Sequence, residues 1–312
     1  MSVVEVAVGV IFGNDGHSVL VTQRTGEVHL AGKWEFPGGK LEPGETPYQA
    51  LQREIVEELG IEVDAATPIL TLPYRYPEKS VLLHIFRVDR FRGEASAREH
   101  QPLRFQAIDS LLAEQFPAAN LPIIRWLQLP DYYCISPEPS ADHNEFLRNL
   151  QNAMQRRRCM LQFRAKTLSD NAYAALARRL LHLCDSLQRP LLLNCSVELF
   201  EKIPAAGLHL TAQRARQYSS RPIASDRLLA CSCHTAEELR HAAQIDADFV
   251  VLSLVKSSSS HPDASVLGWD GFARLCVERP YAIYALGGMQ LQDLARAHQI
   301  GARGIAGISA LV

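Results

Sequence analysis

Three glutamates, Glu54, Glu57 and Glu58, stand at positions i, i+3 and i+4. On a helix this spacing puts three carboxylates on one face, where each like-charge pair costs roughly 0.2–0.5 kcal/mol. A hard divalent cation removes that penalty, because carboxylate oxygens are the ligands such ions prefer. Leu51, Ile55 and Leu59, at i, i+4 and i+8, fall on another face and can pack against a sheet. Taken alone, Glu57-Glu58 also reads as a solvated acidic face. The chemistry in question is therefore the binding of a divalent cation, and the elements around the acids must say whether such a site is built.

The acids sit in a segment that reads as a helix over 47–59, with Pro47 in its first turn and Gly60 just past its end. Before it come strands over 5–12 and 18–23, joined by Asn14-Asp15-Gly16, and a loop Trp34-Glu35-Phe36-Pro37-Gly38-Gly39. After it come strands over 69–76, 80–87 and 103–107 and a last helix over 123–127. This is an α+β pattern, a mixed sheet between helices. Past Leu129-Pro130-Asp131 the pattern changes. Short apolar runs over 132–136, 159–164, 190–195, 207–211, 228–233, 249–255, 281–287 and 304–308 alternate with helical stretches such as 171–187 and 236–243. Eight such units predict a small (β/α)8 barrel. The expected domains are 1–130 and 131–312. The run Lys256-Ser257-Ser258-Ser259-Ser260 reads as a mobile loop.

Bulk composition narrows the partners. The 312 residues carry a formal net charge of -2, which argues against a nucleic-acid-binding surface, so phosphate binding must be local. No run of about 18 apolar residues is present, and the N-terminus lacks a basic start and a cleavage site, so neither a membrane span nor a signal peptide is expected. All seven cysteines follow position 130 and none forms a CxxC pair, which fits a reduced, cytoplasmic protein.

The segment from Gly39 to Ile61 resembles the Nudix box, Gly-x5-Glu-x7-Arg-Glu-U-x-Glu-Glu-x-Gly-U with U a bulky aliphatic, at every fixed position. The resemblance implies hydrolysis of a nucleoside diphosphate linked to another group. It implies that Glu57 and Glu58 hold Mg²⁺ or Mn²⁺, with Glu54 and the carbonyl of Gly39. Arg53 would orient the carboxylates, Glu45 would brace the loop and Gly60 would close the helix. Glu54 is a candidate for the base that takes a proton from water.

The likeness extends to the MutT-type branch through Val6 to Ile11, Lys33 to Lys40, Arg98 to Pro102 and Phe116 to Pro122. That branch acts on 8-oxo-dGTP. By position, Glu99 would be a further metal-binding or base-like carboxylate. Arg24, Phe36, Lys79 and Asn120 would contact substrate. Lysine at 79 replaces an arginine and so keeps the charge without the fork. Asn120 would face the purine edge whose N7 gains a proton on 8-oxidation, where unmodified guanine offers an acceptor instead. From the residue types alone, Phe36 also reads as core and Asn120 as a turn or cap.

The second half resembles the thiamine-phosphate synthase and thiazole-tautomerase-like barrels. The matching pieces are Gln162 to Lys166, Leu193-Asn194, Gly207 to Leu210, Ser232-Cys233-His234, Leu286-Gly287-Gly288 and Gly301 to Ala306. The resemblance implies a phosphate-bearing ligand near Arg164, Lys166, Asn194, His209, His234, Gly287 and Gly288. The chain departs from the synthases where they carry metal-holding acids: Cys195 follows Asn194, and Thr211-Ala212-Gln213-Arg214-Ala215 follows the His-Leu strand end. Three functions are thus in view. The first is a sanitiser of oxidised purine nucleotides with an accessory barrel. The second is a bifunctional enzyme of thiamine metabolism, whose first half cleaves a pyrimidine or thiamine pyrophosphate. In the third the barrel is a sensor that regulates the first half.

Overall fold

The computed structural model describes residues 3–25, 30–257, 265–308 and 311. The chain divides into two compact units, one on residues 1–128 with 278–280 and one on residues 129–277 and 281–312.

The first unit runs β1 (Val3–Ile11), β2 (Ser18–Gln23), β3 (Trp34–Glu35), β4 (Gly38–Lys40), α1 (Pro47–Leu59), β5 (Glu62–Arg75), β6 (Ser80–Arg92), β7 (Leu103–Ala107) and α2 (Leu121–Gln128). A mixed sheet has the order β4-β1-β6-β5, with β1 parallel to β6, and a small antiparallel sheet has the order β3-β2-β7. Strands β5 and β6 are longer than the sequence suggests. They pair from Glu62↔Arg92 to Arg75↔Ser80. Pro68 hides the first half of β5 from a sequence reading, but β5 is an edge strand, where a missing N–H is tolerated.

Helix α1 begins on a reciprocal cap. The Thr46 hydroxyl accepts from the Gln49 N–H, and the Gln49 side chain accepts from the Thr46 N–H. It ends at Gly60 in the left-handed region, φ 71°. Ala50, Leu51, Ile55 and Leu59 are buried. At Gly9 of β1, an added Cβ would lie 3.2 Å from both Ile55 and Leu51, so helix and sheet meet there closely.

The second unit runs β8 (Tyr132–Ile135), α3 (His143–Arg156), β9 (Cys159–Phe163), α4 (Asp170–Ser186), β10 (Leu191–Leu193), α5 (Val197–Phe200), β11 (Gly207–Leu210), α6 (Ala212–Ala215), β12 (Leu228–Cys233), α7 (Ala236–Gln244), β13 (Phe249–Leu252), α8 (Gly268–Cys276), β14 (Ala282–Ala285), α9 (Leu294–Gln299) and β15 (Gly304–Gly307). Its eight strands are all parallel and close into a barrel, β15 returning to β8. Most strands stop short of the expected ends. Ser136, Arg164, Asn194 and Thr211 lie past their ladders and belong to the loops at the C-terminal mouth, where such barrels carry their sites. Of the serine run, Lys256 and Ser257 are described and Ser258 to Ser260 lie outside the described residues. Tyr133, Gln162, His209, Phe249 and Tyr284 are buried. Six of the seven cysteines are buried and Cys276 is half-buried. Among the described residues no helix is long and apolar enough to cross a membrane.

Candidate functional site

Strand β4 and helix α1 bring the acids of the first unit together. Gly39 lies so close to Glu54 that a Cβ there would sit 2.1–2.3 Å from the carboxylate atoms, so any side chain at 39 would displace that carboxylate. The Gly38 N–H donates to Glu58 Oε2 at 3.2 Å. Burial pushes the Glu58 carboxyl up to about 8. The Gly38 N–H pulls the other way, and the charges of Glu35, Glu99 and Glu54 add to the rise.

Arg53 organises the rest. Its Nε and Nη2 grip the two oxygens of Glu45 at 2.8 and 2.9 Å. Nη1 donates to Glu54 at 2.9 Å and Glu57 at 3.2 Å, and Nη2 also donates to the Lys40 carbonyl. The Arg53 hydrogen bonds hold the Glu45 carboxyl down at about 2, helped by the Glu42 N–H. The segment after β6 closes on the end of α1. The Arg98 N–H and the Gln101 side chain both donate to the Glu58 carbonyl, which puts the exposed Glu99 beside the cluster.

Among the described residues no three carboxylates, imidazoles or thiols converge as a closed metal shell, and Arg53 draws Glu54 and Glu57 to itself. The donor set nevertheless fits a hard divalent ion. The charges of Glu35, Glu54 and Glu99 all act on the half-buried Glu58 carboxyl, and a backbone approach at Gly39 is kept open by the lack of a side chain.

Around this cluster lie Glu35 and Tyr76, which the sequence did not single out, together with Arg24 and Lys79, which it did. Glu35 pairs with Arg24 at 2.5 Å, yet burial still raises its carboxyl. Its charge and that of Arg24 both act on the Tyr76 hydroxyl, whose pKa burial raises first. The exposed Lys79 lies 5.8 Å from the Tyr76 ring centroid. Arg24, Glu35, Tyr76 and Lys79 therefore form one electrostatic neighbourhood. Phe36, expected to contact substrate, packs beside this neighbourhood. It is 3% exposed and stacks on Phe116 at 5.8 Å, so it is core that pins the 116–120 segment to the Glu35 strand. In that segment Asn120 Oδ1 is buried without a hydrogen-bond partner.

In the second unit Arg164 follows β9 and exchanges hydrogen bonds with Ser136 across the mouth. The Lys166 N–H donates to Glu138, and Arg214 Nη1 reaches Asn194 Oδ1 at 3.5 Å. His234 is half exposed and tied to Glu238 on α7 at 3.1 Å. Gly287 and Gly288 have positive φ, 106° and 59°. Added Cβ atoms there would collide with Leu254 and with the Ser257 carbonyl, so packing against the neighbouring loop already requires glycine. His209, expected near the ligand, is 1% exposed, with both ring nitrogens bonded inside the protein.

The NUDIX domain family matches residues 3–127, and the thiamine monophosphate synthase family matches residues 132–311. The chain belongs to both families. Its Nudix unit is 39% identical over 128 residues to the 8-oxo-dGTP diphosphatase of Escherichia coli, covering 41% of this chain and 98% of that protein. It is 36% identical over 124 residues to the CTP pyrophosphohydrolase of the same organism, covering 40% of this chain and 91% of that protein. The synthase-like unit is 31% identical over 179 residues to the thiamine-phosphate synthase of Limosilactobacillus fermentum, covering 56% of this chain and 84% of that protein. The first half is thus a Nudix pyrophosphohydrolase, and the second is a thiamine-phosphate-synthase-type barrel.

Proposed function

We propose that the Nudix unit hydrolyses 8-oxo-dGTP and related oxidised purine nucleoside triphosphates to the monophosphate and pyrophosphate, clearing a mutagenic precursor from the nucleotide pool. The observation that carries the substrate reading is the orphaned Asn120 Oδ1. A buried acceptor without a partner costs about 1–3 kcal/mol. An 8-oxopurine presents an N7–H that can satisfy it, whereas unmodified guanine presents a second acceptor and leaves both unpaired. The identity to an 8-oxo-dGTP diphosphatase over nearly all of that protein supports the same reading.

Gly39, Glu54, Glu57, Glu58 and Glu99 would hold Mg²⁺ or Mn²⁺. When bound, such an ion neutralises phosphate charge and makes a water more acidic. Arg53 keeps Glu54 and Glu57 in place and is itself fixed by Glu45. Glu54 accepts the proton of the attacking water. Arg24 and Lys79 supply positive charge to the nucleotide beside Tyr76 and Glu35. The synthase-like unit binds a phosphate-bearing ligand or serves as an accessory.

A second reading is that the fusion serves thiamine metabolism, with the Nudix unit cleaving a pyrimidine or thiamine pyrophosphate. The synthase family match and the CTP pyrophosphohydrolase identity favour it. kcat/KM for 8-oxo-dGTP, dGTP, CTP and thiamine diphosphate on the full chain and on Asn120→Ala separates the two. The first reading expects an 8-oxo-dGTP preference of about 10³, roughly 4 kcal/mol of transition-state binding, that narrows in the variant. A preference for thiamine diphosphate, or an unchanged ratio in Asn120→Ala, rejects it.

A further inference from the structure

We infer that Glu35 is a positioning residue that couples the two ends of the Nudix site: it holds the Arg24 guanidinium in place for the nucleotide while its charge bears on the metal-binding carboxylate of Glu58, so that divalent cation and nucleoside bind cooperatively. The inference rests on the reading above that Arg24 meets the nucleotide and Glu58 the metal.

One short run of chain joins the two ends. Strand β3 pairs with β2, with Thr22 opposite Glu35. The Arg24 N–H donates to the Lys33 carbonyl at 3.0 Å, and the Arg24 side chain donates to Glu35 Oε2 at 2.5 Å. Three residues on, the Gly38 N–H donates to Glu58 Oε2 at 3.2 Å. Between them Phe36 and Pro37 are buried, and the Pro37 carbonyl accepts from the Gly9 N–H at 2.8 Å. The run from Lys33 to Gly38 is thus pinned at both ends and in the middle. Glu35 keeps its place relative to both partners.

Charge supplies the coupling. Glu35 is half-buried, and burial raises its carboxyl; the charge and hydrogen bond of Arg24 pull the other way without cancelling the rise. The charge of Glu35 also opposes that of Glu58. Such repulsion disfavours the ionised form of both carboxylates, and with it the charge-assisted bond from Arg24. A dication held at Glu58 offsets the repulsion and leaves Glu35 a firmer anchor. The guanidinium is planar and rigid, so a firm hold on one nitrogen sets the direction of the others. A fork already held loses less freedom when a nucleoside arrives. Linkage makes the effect mutual: the factor by which the cation tightens the nucleoside is the factor by which the nucleoside tightens the cation.

The probe is 8-oxo-2′-deoxyguanosine, which has no phosphate through which to touch the ion. Equilibrium dialysis on the full chain, with and without Mn²⁺, should show the ion tightening the nucleoside by about fivefold or more. Electron paramagnetic resonance of free Mn²⁺ should show the nucleoside tightening the ion by the same factor. Glu35→Gln should bring both ratios near one, which a merely structural role would not do. If Glu35→Gln fails to fold, Glu35→Asp keeps the charge with a shorter reach to Arg24, and it should lower the ratios part-way. A ratio of one in the wild-type chain, or an unchanged ratio in a folded Glu35 variant, overturns the coupling. Cytidine is titrated in parallel. A chain that binds cytidine and not the oxidised purine refutes the oxidised-purine reading alone, and the ratio measured on cytidine then decides the coupling. A chain that binds neither nucleoside, or no Mn²⁺, overturns the inference.

Discussion

Arg53 spends its whole guanidinium on the site: two nitrogens close on Glu45, one is shared by Glu54 and Glu57, and one also reaches the Lys40 carbonyl. A lysine keeps the charge but can serve few of these partners at once. Arg53→Lys is therefore expected to lower kcat by about 10–100-fold with little change in KM, read from steady-state kinetics. Glu57→Gln should lower kcat by about 10² or more while circular dichroism stays native. A retained rate would remove Glu57 from the metal set. His209 gives a pH prediction in the other unit. Its folded pKa lies below its unfolded value, so the unfolded chain gains a proton first as pH falls through about 6.5. Stability is complete above that pH and is lost toward pH 3, at most about 1.4 kcal/mol per pH unit. Denaturant melts at pH 7.5, 6 and 5 should show this loss in the synthase-like unit, and a shallower one in His209→Gln.

At the scale of elements, α1 was legible almost residue by residue, because its signals are local: Thr46, Pro47 and Gly60 mark the ends and Leu51, Ile55 and Leu59 mark the buried face. Glu35 was not legible. Its importance depends on the two-residue strand β3 delivering it to Arg24 and near Glu58, a non-local event that leaves no periodic trace. The depth of His209 was not legible for a similar reason. The residue reads as a polar one at a strand end, and only the β11–β12 register, His209 opposite Ala230, sets it inside the barrel. The β4–α1 approach makes a prediction of its own. Gly39→Ala would drive a methyl into the Glu54 carboxylate, so that side chain must swing away from its place. Because a displacement of about 1 Å can cost 10²-fold, its activity should fall by about that much while the melting temperature moves little. A melting temperature that collapses instead would make Gly39 a folding residue.

For the whole molecule, two compact units with separate family matches imply separable activities. A chain ending at Pro130 is expected to keep the kcat/KM ranking of the full chain. A changed ranking would mean that the barrel shapes nucleotide choice. The distribution of sulfur has a further use. Every cysteine belongs to the synthase-like unit, and six of the seven are buried. A thiol-modifying reagent therefore sees Cys276 first and the remainder only when the barrel opens. Labelling rates become a stopwatch for barrel opening that the Nudix half, having no sulfhydryl, cannot disturb.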